Sequence, residues 1–154
     1  MLGMTAPNAL AVDDHRRVAA ITYNDCWDLL EVERTPEQDR DLIGLALTSR
    51  YHWQQAGGGA EELSIADWMV GRAFAAIGAG GPALDFARAA VERQAADTPP
   101  WLQASLQEGL ARAFSASGDK AERDAAVVRA RQILAAEPDA ESRELIQGQL
   151  DTVP

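Results

Sequence analysis

Apolar residues recur along this chain at helical spacing. In the first stretch Val18, Ile21, Thr22, Asp25 and Leu29 form one stripe, and Tyr23, Trp27 and Leu30 form a second. The pattern predicts a helix over about 14–34 with contacts on two sides. The next stretch places Leu42, Leu45, Ala46, Ser49, Trp53 and Ala56 on one face, with Trp53 near the middle of the buried side. A third helix over about 61–77 turns Leu63, Ala66, Val70, Ala73, Phe74 and Ile77 inward. Further helices are predicted over about 82–96, 99–117 and 119–136, and a last short one begins at Asp139. No segment alternates with period two for long enough to form a strand. Seven helices joined by short loops predict an all-α chain with antiparallel neighbours.

The punctuation agrees with this periodicity. In "TPEQ" Thr35 suits an N-cap, Pro36 the first helical position and Gln38 the reciprocal partner of a capping box. Gly57, Gly78 and Gly118 stand where helices should stop. Thr98 is expected to cap the fifth helix with Pro99 in its first turn, and Asp119 with Glu122 forms a second capping box. Pro138 breaks the sixth helix. Residues 1–12 are expected to be a loose N-terminal segment, and 13–154 a single helical domain. In its last helix Leu145, Ile146 and Leu150 cap an exposed end.

An internal repeat underlies the helices. "GRAFAAIG" from Gly71 to Gly78 matches "ARAFSASG" from Ala111 to Gly118 at an offset of 40 residues. Arg72, Ala73, Phe74, Ala76 and Gly78 coincide with Arg112, Ala113, Phe114, Ala116 and Gly118. The spacing of Gly71, Phe74, Ala83 and Ala90 resembles the tetratricopeptide repeat, where a small residue lets two helices approach and an aromatic fills the space beside it. The second unit has Ala111, Phe114, Ala130 and Leu134, but Arg123 where the family has a small residue, as in a terminal repeat. The period is longer than the family's usual ~34. As a whole, "YNDCWDLLE", "SRYHW" and "ADWMVGRAFAAIG" are also similar to a group of small uncharacterised bacterial helical proteins of this type. The resemblance implies stacked antiparallel hairpins in a short right-handed superhelix of about seven helices. It also implies a concave face that binds peptides, and it implies no enzymatic activity.

Composition narrows the function. A chain of 154 residues suits one domain, and 47% hydrophobic with 25% charged residues is an ordinary globular balance. A net charge of -10 repels phosphate, so neither nucleic acid nor an anionic membrane is an expected partner. No apolar run approaches the ~20 residues of a membrane span. The start "MLGMTAPNALAVDDHRR" lacks the pattern of a signal peptide, and a cytoplasmic location is expected. Cys26 is the only cysteine, and His15 and His52 are the only histidines. No zinc-type ligand spacing, phosphate-cradling loop or dinucleotide motif is present, and no cofactor or metal is expected.

Two sets of candidate site residues follow. If Gly71 and Ala111 take the small-residue positions of the resemblance, Ile65, Trp68, Met69 and Arg72 face the groove in one unit. Ser105, Glu108 and Arg112 do so in the next, with Trp101 one turn earlier. The expected function is then a non-enzymatic protein or peptide interaction module, with self-association as a homodimer an alternative. Arg72 and Arg112 beside tryptophans would hold an acidic group. The bland reading pairs Arg112 with Glu108 along the helix, and Arg72 with Asp67 or stacked on Trp68. The second set is a polar pocket between the first three helices, using Tyr23, Asp25, Arg50 and His52 for a small molecule or an enzyme. Its bland counterpart is a structural ion pair of Arg50 with Asp25 or Asp67. Cys26 and His52 as a nucleophile and base are weighed against a packed thiol and a boundary histidine.

Overall fold

The computed structural model describes residues 9–154. They form seven helices and no strand: α1 (Val12–Leu30), α2 (Pro36–Gln55), α3 (Ala60–Ala76), α4 (Gly80–Glu92), α5 (Pro100–Ala116), α6 (Lys120–Leu134) and α7 (Ala140–Asp151). Residues 1–8 of the expected loose segment lie outside the described residues, and 9–11 precede α1.

The helix ends follow from local chemistry. Thr35 Oγ1 accepts the Gln38 N–H at 3.2 Å and Gln38 Oε1 accepts the Thr35 N–H at 2.9 Å, the expected capping box. Asp119 and Asp139 accept the N–H groups of Glu122 and Ser142 at the starts of α6 and α7. Gly57, Gly78 and Gly118 have φ of +69°, +77° and +79°, the left-handed conformation that costs glycine little. Each closes a helix in the same way. The N–H one residue further on bonds back to the carbonyl of Trp53, Phe74 or Phe114. The sequence repeat is therefore also a repeated backbone stop: Phe74 and Gly78 act in α3 as Phe114 and Gly118 act in α5.

Several boundaries differ from expectation. α1 stops at Leu30 because Arg34 folds back, donating to Leu29 O at 3.0 Å and to Asp39 at 2.7 Å. α4 starts two residues before Pro82, which fits inside the first turn because the N–H it lacks would be unpaired there anyway. Pro99, not Thr98, precedes α5 as its cap, and Pro100 opens the helix. Thr98 Oγ1 instead accepts the Ala95 N–H, closing the loop after α4.

Consecutive helices pack as hairpins: α1 on α2, α3 on α4, α5 on α6. The odd-numbered helices also touch their neighbours in a row, α1 with α3, α3 with α5 and α5 with α7. Among the described residues the backbones of the even-numbered helices α2, α4 and α6 stay apart, and Arg50 of α2 reaches across to stack 5.4 Å from the Phe86 ring of α4. Alanines line the closest approaches, with Ala83, Ala87, Ala111 and Ala126 buried together. At Gly71 a Cβ would stand 3.1 Å from Ala87 N and 3.2 Å from Ala83 O, so the missing side chain sets the α3–α4 spacing.

Three expected core positions, Ile21, Trp53 and Ile77, are not core; Ile77 is exposed because it caps the C-terminal end of α3. Ile21 is 52% exposed, because α1 is the edge of the row and none of the described residues covers its outer stripe. The buried face of α1 is instead Ala19 and Cys26, flanked by Tyr23, Trp27 and Leu30. Trp53 is only half-buried, since it sits in the last turn of α2 beside the glycine stop.

The contrast between two helical glycines tests this packing. Gly44, in α2, has open space where a Cβ would go. Gly44→Ala is expected to raise stability by about 0.5–1 kcal/mol in urea unfolding. Gly71→Ala is expected to lower it by about 1 kcal/mol or more, the strain against Ala83 and Ala87 exceeding the same helix gain.

Candidate functional site

One face of each odd-numbered helix opens on a common groove of about 590 Å³. α1 supplies Tyr23 and Trp27, one turn apart, and Glu31 follows at its end. α3 supplies Ile65 and Trp68, α5 Trp101, Leu102 and Ser105, and α7 Ser142, Leu145, Ile146 and Gln149. Each set recurs at three- or four-residue steps, the spacing of a single helix face. Trp27 and Trp68 meet at 5.9 Å between ring centroids, and Tyr23 stands edge-on to Trp27 at 6.5 Å. The lining is mostly apolar, with hydroxyl and amide groups at intervals, as in pockets that take organic ligands or peptide side chains.

Behind the aromatic wall lies a buried carboxylate. Glu108 is fully buried, and desolvating a carboxylate without partners is costly. It has three. Arg72 Nη1 donates to Oε1 at 2.7 Å, Arg112 Nε donates to the same oxygen, and Trp68 Nε1 donates to Oε2 at 3.3 Å. The Arg72 guanidinium stacks 4.9 Å from the Trp27 ring and 5.5 Å from Trp68. Burial lowers the Arg72 pKa from its ordinary value, against the opposing pull of Glu108. Arg112 reaches on to Gln149 O at 2.9 Å and Thr152 Oγ1 at 2.8 Å. One node thus binds α3 to α5 and α5 to the end of α7. Gly109 leaves room for it: a Cβ there would stand 2.6 Å from Trp68 Cδ1.

The expected groove residues divide in consequence. Ile65, Trp68, Trp101 and Ser105 line the groove. Met69 does not; it is fully buried between helices, because α3 has neighbours on nearly every side. Glu108 is also inside, and Arg72 and Arg112 both donate to it, while with Arg34 they line a smaller, separate cavity of about 260 Å³. The periodicity did place Tyr23 and Trp27 together on a second stripe, but not opposite Trp68. Leu145 and Ile146 were expected to cap an end, and they form the fourth wall.

The residues of the alternative pocket do not converge. Tyr23 faces the groove, and its phenol is held above the usual pKa, chiefly by burial. Asp25 lines a shallow depression between α1 and α2 with Asp28, Arg40 and Asp41. Arg50 Nε donates to Asp67 Oδ1 at 2.5 Å, while Arg93 Nε donates to Oδ2 at 2.5 Å. Asp67 is fully buried, so this clamp is the structural ion pair that the sequence allowed, with Asp67 rather than Asp25 as the acid. His52 Nδ1 lies 2.7 Å from His15 Nδ1, joining α1 to the last turn of α2. Cys26 is buried elsewhere in the core, its thiol pushed up to about 12 first by burial and then by Asp25, so it does not pair with His52 as a nucleophile.

Among the described residues no group of three or more His, Cys, Asp and Glu side chains comes together to hold a metal, and no helix is long and apolar enough to cross a membrane. Comparison with known protein families, curated proteins and solved structures gave no match.

Arg72→Ala would leave Glu108 buried with one guanidinium fewer and uncover two tryptophan faces. A loss of about 3 kcal/mol in urea unfolding is expected; a loss under about 1 kcal/mol would mean that the node behaves as a surface pair. The histidine pair gives a pH dependence. Burial first, then His15, lowers the His52 pKa from 6.5. A base with a folded pKa below its unfolded one binds fewer protons when folded. Its contribution is therefore whole above about pH 6.5 and is lost as pH falls from there toward the folded pKa. The melting temperature should fall between pH 7.5 and 5.5, and His52→Gln should flatten that fall.

Proposed function

We propose that this chain is a non-enzymatic interaction module that holds a peptide segment of a partner protein in the groove across α1, α3, α5 and α7. The observation that carries the reading is that groove: an open, aromatic-rich trough to which each odd-numbered helix contributes one face. The row of touching odd helices and the close α3–α4 approach at Gly71 support a short tetratricopeptide-like array whose inner helices form the concave side. In such an array the inner face is the shared surface of successive units and offers a partner a continuous track. The polar groups that would serve catalysis are engaged elsewhere: Arg50 with Asp67, His52 with His15, Arg72 and Arg112 with Glu108. The proposal places the protein in the cytoplasm, where its single thiol stays reduced.

Peptide display against the purified protein tests this reading. Leu145 is 64% exposed at the groove wall, so Leu145→Asp can change the groove without disturbing the core. Selected peptides should bind the wild type and lose about tenfold or more in affinity for Leu145→Asp, with an unchanged melting temperature. Absence of enriched peptides, or equal binding to both proteins, would overturn the proposal.

A further inference from the structure

We propose that the cavity at the C-terminal ends of α1, α3 and α5 is a binding site for a small aliphatic carboxylate, gripped by the guanidinium of Arg72. The site goes beyond the peptide groove and does not depend on it. Its volume is about 260 Å³, and its charged lining is Arg34, Arg72 and Arg112, with no acid among them. Two of these arginines are fully used. Arg34 donates through all three nitrogens, to Asp39, Leu29 O and Ala76 O. Arg112 does the same, through Nε to Glu108 and through both Nη atoms to Gln149 and Thr152. Arg72 differs: only its Nη1 is engaged, by Glu108 at 2.7 Å. Among the described residues its Nε and Nη2 have no hydrogen-bond partner. These two nitrogens form the side-on edge of the guanidinium, which can receive both oxygens of a carboxylate. No buried side-chain nitrogen or oxygen among the described residues lacks a partner, so this edge is not sealed within the protein. Arg72 lines the cavity and not the aromatic groove, so the cavity is where the edge opens. The rings of Trp27 and Trp68, at 4.9 and 5.5 Å, hold the plane of the guanidinium.

Charge and shape narrow the ligand. The three guanidiniums face Glu108 and Asp39, which leaves one positive charge for a ligand to neutralise. That fits a monocarboxylate better than a dianionic phosphate. Burial lowers the Arg72 pKa, Glu108 opposes the shift and Arg112 adds to it, so a further anion at this edge is favourable. Leu30, Ala75, Ala76 and Ala116 supply small apolar walls for a short alkyl chain. Pro154 completes the lining, and its carbonyl is taken up by Ser115 Oγ and Arg123 Nη1 rather than by Arg72.

Sodium butyrate is the probe, with sodium chloride, butyramide and inorganic phosphate as comparisons at equal ionic strength. So small a ligand should bind with a Kd of about 1 mM. At about 20 mM butyrate should raise the melting temperature by about 3 °C over chloride and butyramide, and phosphate should raise it less. In nitrogen–proton correlation spectra of the wild type, butyrate should shift the Arg72 Nε–H resonance and the amides of Ala75, Ala76 and Ala116. Arg72→Lys keeps a positive charge beside Glu108 but loses the planar edge, and butyrate affinity should fall about tenfold or more. Butyramide acting as butyrate does, phosphate binding more tightly, or undiminished affinity in Arg72→Lys would each overturn the carboxylate assignment. If Arg72→Lys does not fold, the wild-type spectra decide alone. Shifts centred on Arg72 uphold the site, and shifts elsewhere or none remove it. Peptide capture in the groove, read with Leu145→Asp, stands or falls separately.

Discussion

Glu108 is the constraint on which the central row of helices depends. A carboxylate with no exposure must be surrounded by donors, and these come from three directions: Arg72 and Trp68 of α3, and Arg112 of its own helix. Their geometry fixes the rotation of α3 against α5. Because Arg112 also reaches the carbonyl of Gln149, the same requirement docks the last helix. Coulomb attraction at such a site is strong, but its main effect is discrimination, since any register that separates these groups strands a charge out of water. Asp67, gripped by Arg50 and Arg93, does the same between α2, α3 and the end of α4. Two buried acids on adjacent helices thus hold a core that is otherwise largely alanine and therefore poor in shape-specific contacts.

The node also shapes the surface in front of it. With its indole nitrogen tied to Glu108 and one face against Arg72, Trp68 is held as a rigid wall rather than a mobile flap. Trp27 packs beside Trp68 against the same guanidinium. The aromatic floor of the groove is in this sense the outer layer of an ion-pair network. Preorganised rings lose little conformational freedom when a ligand arrives, which is where aromatic contact surfaces gain their affinity.

Much of the fold was legible in sequence because it is local. Capping at Thr35, Asp119 and Asp139, glycine stops at three helix ends, and the Gly71 approach depend on residues within a few positions or on one repeated motif. The groove was half legible. Ile65, Trp68, Trp101 and Ser105 follow from the repeat, but Met69 and Glu108 do not, because a two-faced helix is the wrong picture for α3 and α5. Helices with neighbours on several sides bury almost every residue of their central turns, and Ala66 through Gly71 are all buried. The contribution of α7 was hidden for another reason. Leu145 and Ile146 have the spacing of any capping helix, and only its docking onto α5 turns them toward Trp101. The pairing of His15 with His52 joins positions 37 residues apart and leaves no trace in either local pattern.

The repeat has one further consequence. At its offset of 40 residues, Trp68 and Glu108 occupy equivalent positions, yet one is a donor and the other its acceptor. The two copies are therefore complementary halves rather than interchangeable modules. A third copy of either, inserted beside its parent, would set indole against indole or carboxylate against carboxylate, with no group to receive or supply the bond. Loops and outer faces can diverge without touching this bond, but the residues at these two positions cannot be exchanged for copies of each other.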